Sequence, residues 1–202
     1  MPRSRRLIPP NSISHVINRG TDRRRLFDAA AEYDEFRSLM RHALAREPVR
    51  LVAYVLMPNH WHLVAWPEAG TQLSRFLHLV CSAHAARWRW RAGSTGQGHV
   101  YQDRYHAFIV ESERQYYNVL RYVEANPLRA GLVATATAWT WSSLAERREA
   151  RAELIVPGPL ALPDRWPEIV DQTMPAGILA DLRDRTGRVH RAAWQPRRHP
   201  GP

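Results

Sequence analysis

Residues 49–66 constrain the fold more than any other stretch. Two apolar runs rich in β-branched residues, 49–57 and 60–66, flank the turn signal Pro58-Asn59 and read as a hairpin. The second run carries His60 and His62. In a strand, side chains at i and i+2 share a face. Both imidazoles therefore project together, with Trp61 and Leu63 turned the other way. Two imidazoles on one rigid face make half of a metal site.

The rest of the chain reads as a scaffold for that pair. A strand at 14–18 runs into a turn with a charge run, Gly20-Thr-Asp-Arg-Arg-Arg25. A helix over 30–46 repeats Phe36, Leu39, Met40, Ala43 and Leu44 at helical spacing, with Pro48 beyond its end. A second helix over 71–91 places Leu73, Phe76, Leu77 and Val80 on one side. Its last turns, Arg87-Trp-Arg-Trp-Arg91, interleave aromatic and basic residues. That pattern suits base stacking with phosphate contact and, equally, tryptophans that close a core. A fourth strand spans 105–110. Ser112-Glu-Arg-Gln115 is a capping box for a third helix, which Pro127 stops at Asn126.

The order strand, helix, strand, strand, helix, strand, helix predicts an α+β fold. The first six elements read as a split βαβ sandwich, an antiparallel sheet with helices on one face and the His60–His62 strand central. Residues 1–12 read as a basic N-terminal arm, 13–145 as the domain and 146–202 as an Arg-rich C-terminal extension with a helix at 176–193. Residues 139–143 should pack back on the body. Residues 146–152 are charged and expected on the surface. The four prolines in 156–167 mark a linker or extended segment.

Composition narrows the partner. Lys and Arg total 29 against 19 Asp and Glu, a net charge of +10, and every one of the 29 is arginine. Arginine suits bidentate phosphate contact, so nucleic acid is expected before membrane. A GC-rich genome also raises arginine content. The single cysteine, Cys81, excludes an internal disulfide and a Cys-based zinc site, and is expected to be a small buried residue. With neither a signal-peptide core nor a bilayer-length apolar run, the expected setting is cytoplasmic, nucleoid-associated when bound to DNA.

The third helix supplies what the strand lacks. On a helical wheel Tyr116, Val119, Leu120 and Val123 form the buried stripe. Gln115, Tyr122 and Asn126 fall on one edge of it, and Tyr117, Arg121 and Glu124 on the other. Tyr122 and Asn126 are neighbours at i, i+4. Two neutral imidazoles and an amide oxygen can hold Mg²⁺ or Mn²⁺ with positions left open. A phenol beside them can attack phosphorus as a covalent nucleophile, which requires no nucleotide cofactor. Tyr116 and Tyr117 compete for that role. Tyr116 is mid-stripe and Tyr117 lies away from Asn126, so spacing prefers Tyr122. His15, His78, His84 and His106 read as surface or packing residues, with His106 also within possible reach of phosphate.

At these residues the chain resembles the single-tyrosine HUH transposases, and within them the REP-associated tyrosine transposases. The matching stretches are His15-Val-Ile-Asn-Arg-Gly20 with Arg23 and Leu26-Phe27; Tyr54-Val-Leu-Met-Pro-Asn-His-Trp-His-Leu63; Tyr101-Gln-Asp-Arg-Tyr105; Arg121-Tyr-Val-Glu-Ala-Asn-Pro-Leu-Arg-Ala-Gly-Leu-Val133; and Trp139-Thr-Trp-Ser-Ser143. The resemblance implies a ferredoxin-like HUH endonuclease domain that cuts and rejoins single-stranded DNA near hairpin repeats through a 5′-phosphotyrosine. It implies His60, His62 and Asn126 as ligands of Mg²⁺ or Mn²⁺ and Tyr122 as the nucleophile. Candidate DNA contacts are Arg19, Arg23, Arg24, Arg25, Arg87, Arg89, Arg104 and Arg129. The chain would act as a monomer or a homodimer. Two other activities use the same residues: a hairpin-DNA binder with vestigial nuclease activity, and a metal phosphoesterase with water as nucleophile.

Overall fold

The computed structural model describes residues 8–94, 98–149 and 153–192, with side chains described as far as 186. Four strands, β1 (Ser14–Arg19), β2 (Arg50–Met57), β3 (His60–Trp66) and β4 (His106–Ile109), form one antiparallel sheet in the order β2-β3-β1-β4. The expected split βαβ topology is present, and β3 is an inner strand. Ile17 of β1 and Val55 of β2 both pair with His62.

Helices α1 (Ala30–Arg46) and α2 (Gln72–Arg91) cover one face. Tyr33, Phe36, Met40 and Ala43 of α1, with Leu73, Phe76, Leu77 and Val80 of α2, bury against Val16, Leu56, Trp61 and Leu63. These are the apolar positions at helical spacing, set against alternate residues of the strands. Placing helices on one face alone describes this six-element unit and not the whole molecule. The other face is covered by α3 (Glu113–Glu124), α5 (Ser143–Arg148), α6 (Trp166–Asp171) and α7 (Ala176–Ala192), which bury Val55, Met57 and Val64. The reason is compositional: β3 alternates two histidines with two large apolar residues, and its histidine face also needs cover.

Ser112 caps α3 as predicted, accepting from the Gln115 amide at 3.2 Å. The Gln115 side chain reaches back to the Glu111 amide at 2.6 Å, one residue before the cap. Pro127 does not stop the helix at Asn126. α3 ends at Glu124, and a further turn, α4 (Asn126–Arg129), begins with Pro127 in its first positions, where proline's missing N–H is not needed.

The returning chain shields the exposed edge of β2. The Leu56 amide donates to the Trp141 carbonyl at 3.0 Å, and the Val156 amide to Leu51 at 2.8 Å. The proline-rich segment is extended and packed. The Tyr117 hydroxyl donates to Ala161, and a Cβ at Gly158 would collide with the Tyr116 hydroxyl. Residues 146–152 are not uniformly exposed. Glu146 is buried and accepts from the Tyr54 hydroxyl at 2.7 Å and Arg37 at 2.9 Å; residues 150–152 lie outside the described set. The helix expected over 176–193 is α7, with residue 193 outside that set. The expected arm at 1–12 is described only from Ile8. Among the described residues no helix is long and apolar enough to cross a membrane.

Candidate active site

β3 starts at His60, directly after the Pro58-Asn59 turn, and both of its histidines face α3. Their ring centroids are 5.0 Å apart, with planes at 82°. Arg19 pairs with His60 across the sheet. Alternation along β1 puts His15, Ile17 and Arg19 on this same face. α3 delivers Tyr122 above the rings. Its phenyl ring stands edge-on to His62, at 5.8 Å and 90°, and to His15, at 6.1 Å and 88°. One turn later Asn126 comes up beside the His60 ring. The Asn126 Nδ2 is buried without a partner among the described residues.

Burial dominates the electrostatics. It pushes His60 down to about 3, helped by Arg19, and His15 likewise to about 3. His62 is held well below its ordinary value by burial, with the His15 and His60 rings adding to the effect. All three imidazoles are therefore neutral at pH 7, as coordination requires. Two guanidiniums flank the phenol. Arg129 lies 4.2 Å from the centre of the Tyr122 ring and donates to the Tyr122 carbonyl at 2.9 Å. Arg19 and Arg129 both interact electrostatically with the Tyr122 phenol, although burial lowers the pKa of each.

The donor set fits a hard divalent cation with open positions. Among the described residues no three His, Cys, Asp or Glu side chains gather for a metal, so the available set is two imidazoles and an amide oxygen. Both histidines are engaged through Nδ1, which leaves Nε2 for a ligand role. His60 Nδ1 meets Asn59 Oδ1 at 2.7 Å, and His62 Nδ1 meets His15 Nε2 at 2.9 Å. The Asn59 amide is oriented by donating from Nδ2 to the Arg23 carbonyl at 3.4 Å. His15 is the member that sequence reading placed among packing residues. Its i+2, i+4 alternation with Ile17 and Arg19 was visible in the sequence, but its register against His62 was not.

The other tyrosines of α3 lie elsewhere. Tyr116 is buried beside Gly158, and Tyr117 bonds Ala161. The candidate DNA-contacting arginines fall into three places. Arg19 and Arg129 stand at Tyr122. Arg23, Arg24 and Arg25 form the turn after β1, which is tied to the β2–β3 turn by the Gly20 amide donating to Asn59 at 2.9 Å. Arg24 lies 5.2 Å over the Trp88 ring, and Trp88 Nε1 donates to the Arg25 carbonyl, so the end of α2 joins this surface. There Arg87 pairs with Glu35 at 3.0 Å, and Trp90 is 79% exposed. Arg89 and Arg104 border a cavity over α2 with Asn18, Cys81 and Tyr101, on the opposite side of the sheet from Tyr122. Cys81 is half-buried, not fully buried as expected, and its thiol is pushed up to about 12, desolvation being the main cause.

The chain is similar to several known proteins. A protein of Haemophilus influenzae described as a REP-associated tyrosine transposase is 26% identical over 134 residues, spanning 60% of this chain and 72% of its own length. A solved REP-associated tyrosine transposase bound to a REP hairpin superposes with a TM-score of 0.56 at 16% identity, covering 87% of this chain and all of that one. A Deinococcus radiodurans transposase structure aligns over 61% of this chain and 96% of its own, at 20% identity and a TM-score of 0.42. The family model described as "Transposase IS200 like" matches residues 10–126, a span that holds β1, the His60–His62 strand and Tyr122, and ends at Asn126. On that match, which covers more than half of its length, the chain belongs to the IS200-like transposase family.

Proposed function

We propose that this chain is a single-tyrosine HUH transposase that cleaves and rejoins single-stranded DNA beside hairpin repeats, with Tyr122 as nucleophile. One observation carries the reading: His60, His62, Asn126 and Tyr122 converge on one face of the sheet, with Arg19 and Arg129 beside the phenol. The Tyr122 oxygen attacks the scissile phosphorus. A phosphorus–oxygen bond to the protein forms, the bond to O3′ breaks, and the released O3′ takes up a proton as the phenol gives one up. The DNA 5′ end is then held as a phosphotyrosine, and attack by a 3′-hydroxyl on that linkage reseals a strand without nucleotide energy. Arg19 and Arg129 stabilise the phenolate and the charge that gathers on the phosphoryl oxygens. His60, His62 and Asn126 would hold Mg²⁺ or Mn²⁺, and the ion would supply Lewis-acid polarisation of the phosphodiester. The basic turn 23–25 and the end of α2 carry the strand to the site, with Trp90 available to stack on a base. The REP hairpin on the similar solved structure favours a hairpin partner here.

The test is a denaturing gel of labelled single-stranded DNA carrying the hairpin repeats that flank the gene, incubated with Mg²⁺ or Mn²⁺. A metal-dependent covalent band should form, and Tyr122→Phe and His62→Ala should each reduce it to background. Cleavage that survives Tyr122→Phe would assign the attack to water or another tyrosine. Tight hairpin binding with no cleavage under either metal would point to a vestigial binder.

A further inference from the structure

His15 touches His62 in the sheet interior. Its Nε2 lies 2.9 Å from His62 Nδ1. The ring centroids are 5.0 Å apart, near the most that such a contact allows, and the planes differ by only 18°. The rings therefore meet edge to edge, nearly coplanar, as a directional hydrogen bond requires. One ring donates and the other accepts, so the contact couples the two tautomers.

His15 is an expensive residue for packing alone. It is 1% exposed, and its Nδ1 has no hydrogen-bond partner among the described residues. Whichever tautomer it adopts, one buried ring nitrogen goes unpaired, at a cost an apolar side chain would avoid. Phe108 packs against the same ring at 4.9 Å, so an apolar residue would have apolar company. What His15 offers that phenylalanine cannot is a lone pair aimed at His62 Nδ1.

We propose that His15 is a positioning residue that holds His62 as its Nδ1–H tautomer, leaving the Nε2 lone pair free for the divalent cation. His62 Nδ1 donates to His15 Nε2, and the His15 proton sits on Nδ1. In the reverse arrangement His15 Nε2–H would donate, His62 would carry its proton on Nε2, and that nitrogen could not bind a metal. His60 is held in the matching state by Asn59, whose amide oxygen accepts from Nδ1. The two ligand histidines are thus locked by different acceptors, one from the adjoining turn and one from the neighbouring strand. The inference rests on the metal reading above for its purpose, but the tautomer itself can be observed without metal.

Two measurements on the full chain test it. Long-range ¹H–¹⁵N spectra of the metal-free protein should show His62 protonated at Nδ1; protonation at Nε2 would overturn the proposal. Mn²⁺ titration followed by EPR should then compare two variants. His15→Phe, which keeps a ring and removes the acceptor, should lose about 10–100-fold in affinity, the range for removing such an orienting partner. Its Tm should be no lower than that of the wild type. His15→Gln, whose amide oxygen can take the place of Nε2, should stay close to wild-type affinity. Wild-type affinity in His15→Phe, or equal loss in both variants while folded, would overturn the proposal. If His15→Phe does not fold, the tautomer in the wild-type chain decides. Failure of the wild-type chain to bind Mn²⁺ with the Nδ1–H tautomer intact would remove the metal reading and leave the His15–His62 assignment standing.

Discussion

Tyr122 lies between two kinds of neighbour, neutral imidazoles at its ring edge and guanidiniums at its face and phenol. The first kind packs against the ring and the second sets positive charge beside it. Arg129→Met keeps the bulk over the ring and removes the charge. It should lower the single-turnover cleavage rate by about 10²-fold, the scale for losing one preorganised electrostatic contact. An unchanged rate would take Arg129 out of the reaction. The i, i+4 placement of Tyr122 and Asn126 was legible because helical geometry converts spacing directly into proximity. The role of His15 was not legible, since strand pairing and register join residues 47 positions apart.

The elements carry a second set of buried groups that hold the histidine face closed. Glu124, two residues beyond Tyr122, is fully buried. It accepts from Ser143 at 2.5 Å and Arg147 at 3.2 Å on α5, and from Trp166 Nε1 at 2.6 Å on α6. The helical wheel had placed it on an outer edge with Tyr117 and Arg121. That is correct for an isolated helix, but the edge is covered by chain that returns later. Glu124→Ala leaves Trp166 Nε1 without its acceptor and Arg147 with only the Val52 carbonyl. It should destabilise the fold by roughly 3 kcal/mol, read as a lower urea midpoint, because breaking a buried charge pair strands its partner. A midpoint equal to the wild type would show that α5 and α6 dock without it. Gly20, by contrast, has a local cause: a Cβ there would collide with the Arg24 carbonyl four residues on, where the chain doubles back at the basic turn.

Across the whole molecule, buried neutral histidines couple stability to acidity. Burial holds His15 and His60 near 3 and His84 near 4 in the folded chain, against 6.5 for an unperturbed histidine. Between those values the unfolded chain binds more protons than the folded one. The stabilisation is therefore complete above about pH 6.5 and is lost as pH falls towards 4. From pH 7 to pH 5, above the usual carboxylate range, each such histidine should cost up to about 2 kcal/mol. Urea midpoints of the metal-free chain should fall steeply over that interval, and a flat profile would mean that the rings are solvated. The net charge of +10 acts at the same scale: the single-stranded DNA binding proposed above should weaken as salt rises.

The sequence by itself determined the order and type of the elements from β1 to α3, because apolar periodicity, caps and prolines act over a few residues. It also determined that two imidazoles share a strand face and that a tyrosine and an asparagine share a helix edge. Only the tertiary structure decided what those faces meet. It set β1 beside β3 in the register that brings His15 to His62, and it covered the histidine face with α3 and the later helices. It also buried Glu124 and Glu146 under chain that looked free. The physical reason is range: backbone geometry propagates local spacing faithfully, whereas pairing between distant strands and docking of a late segment depend on the summed burial of the whole core.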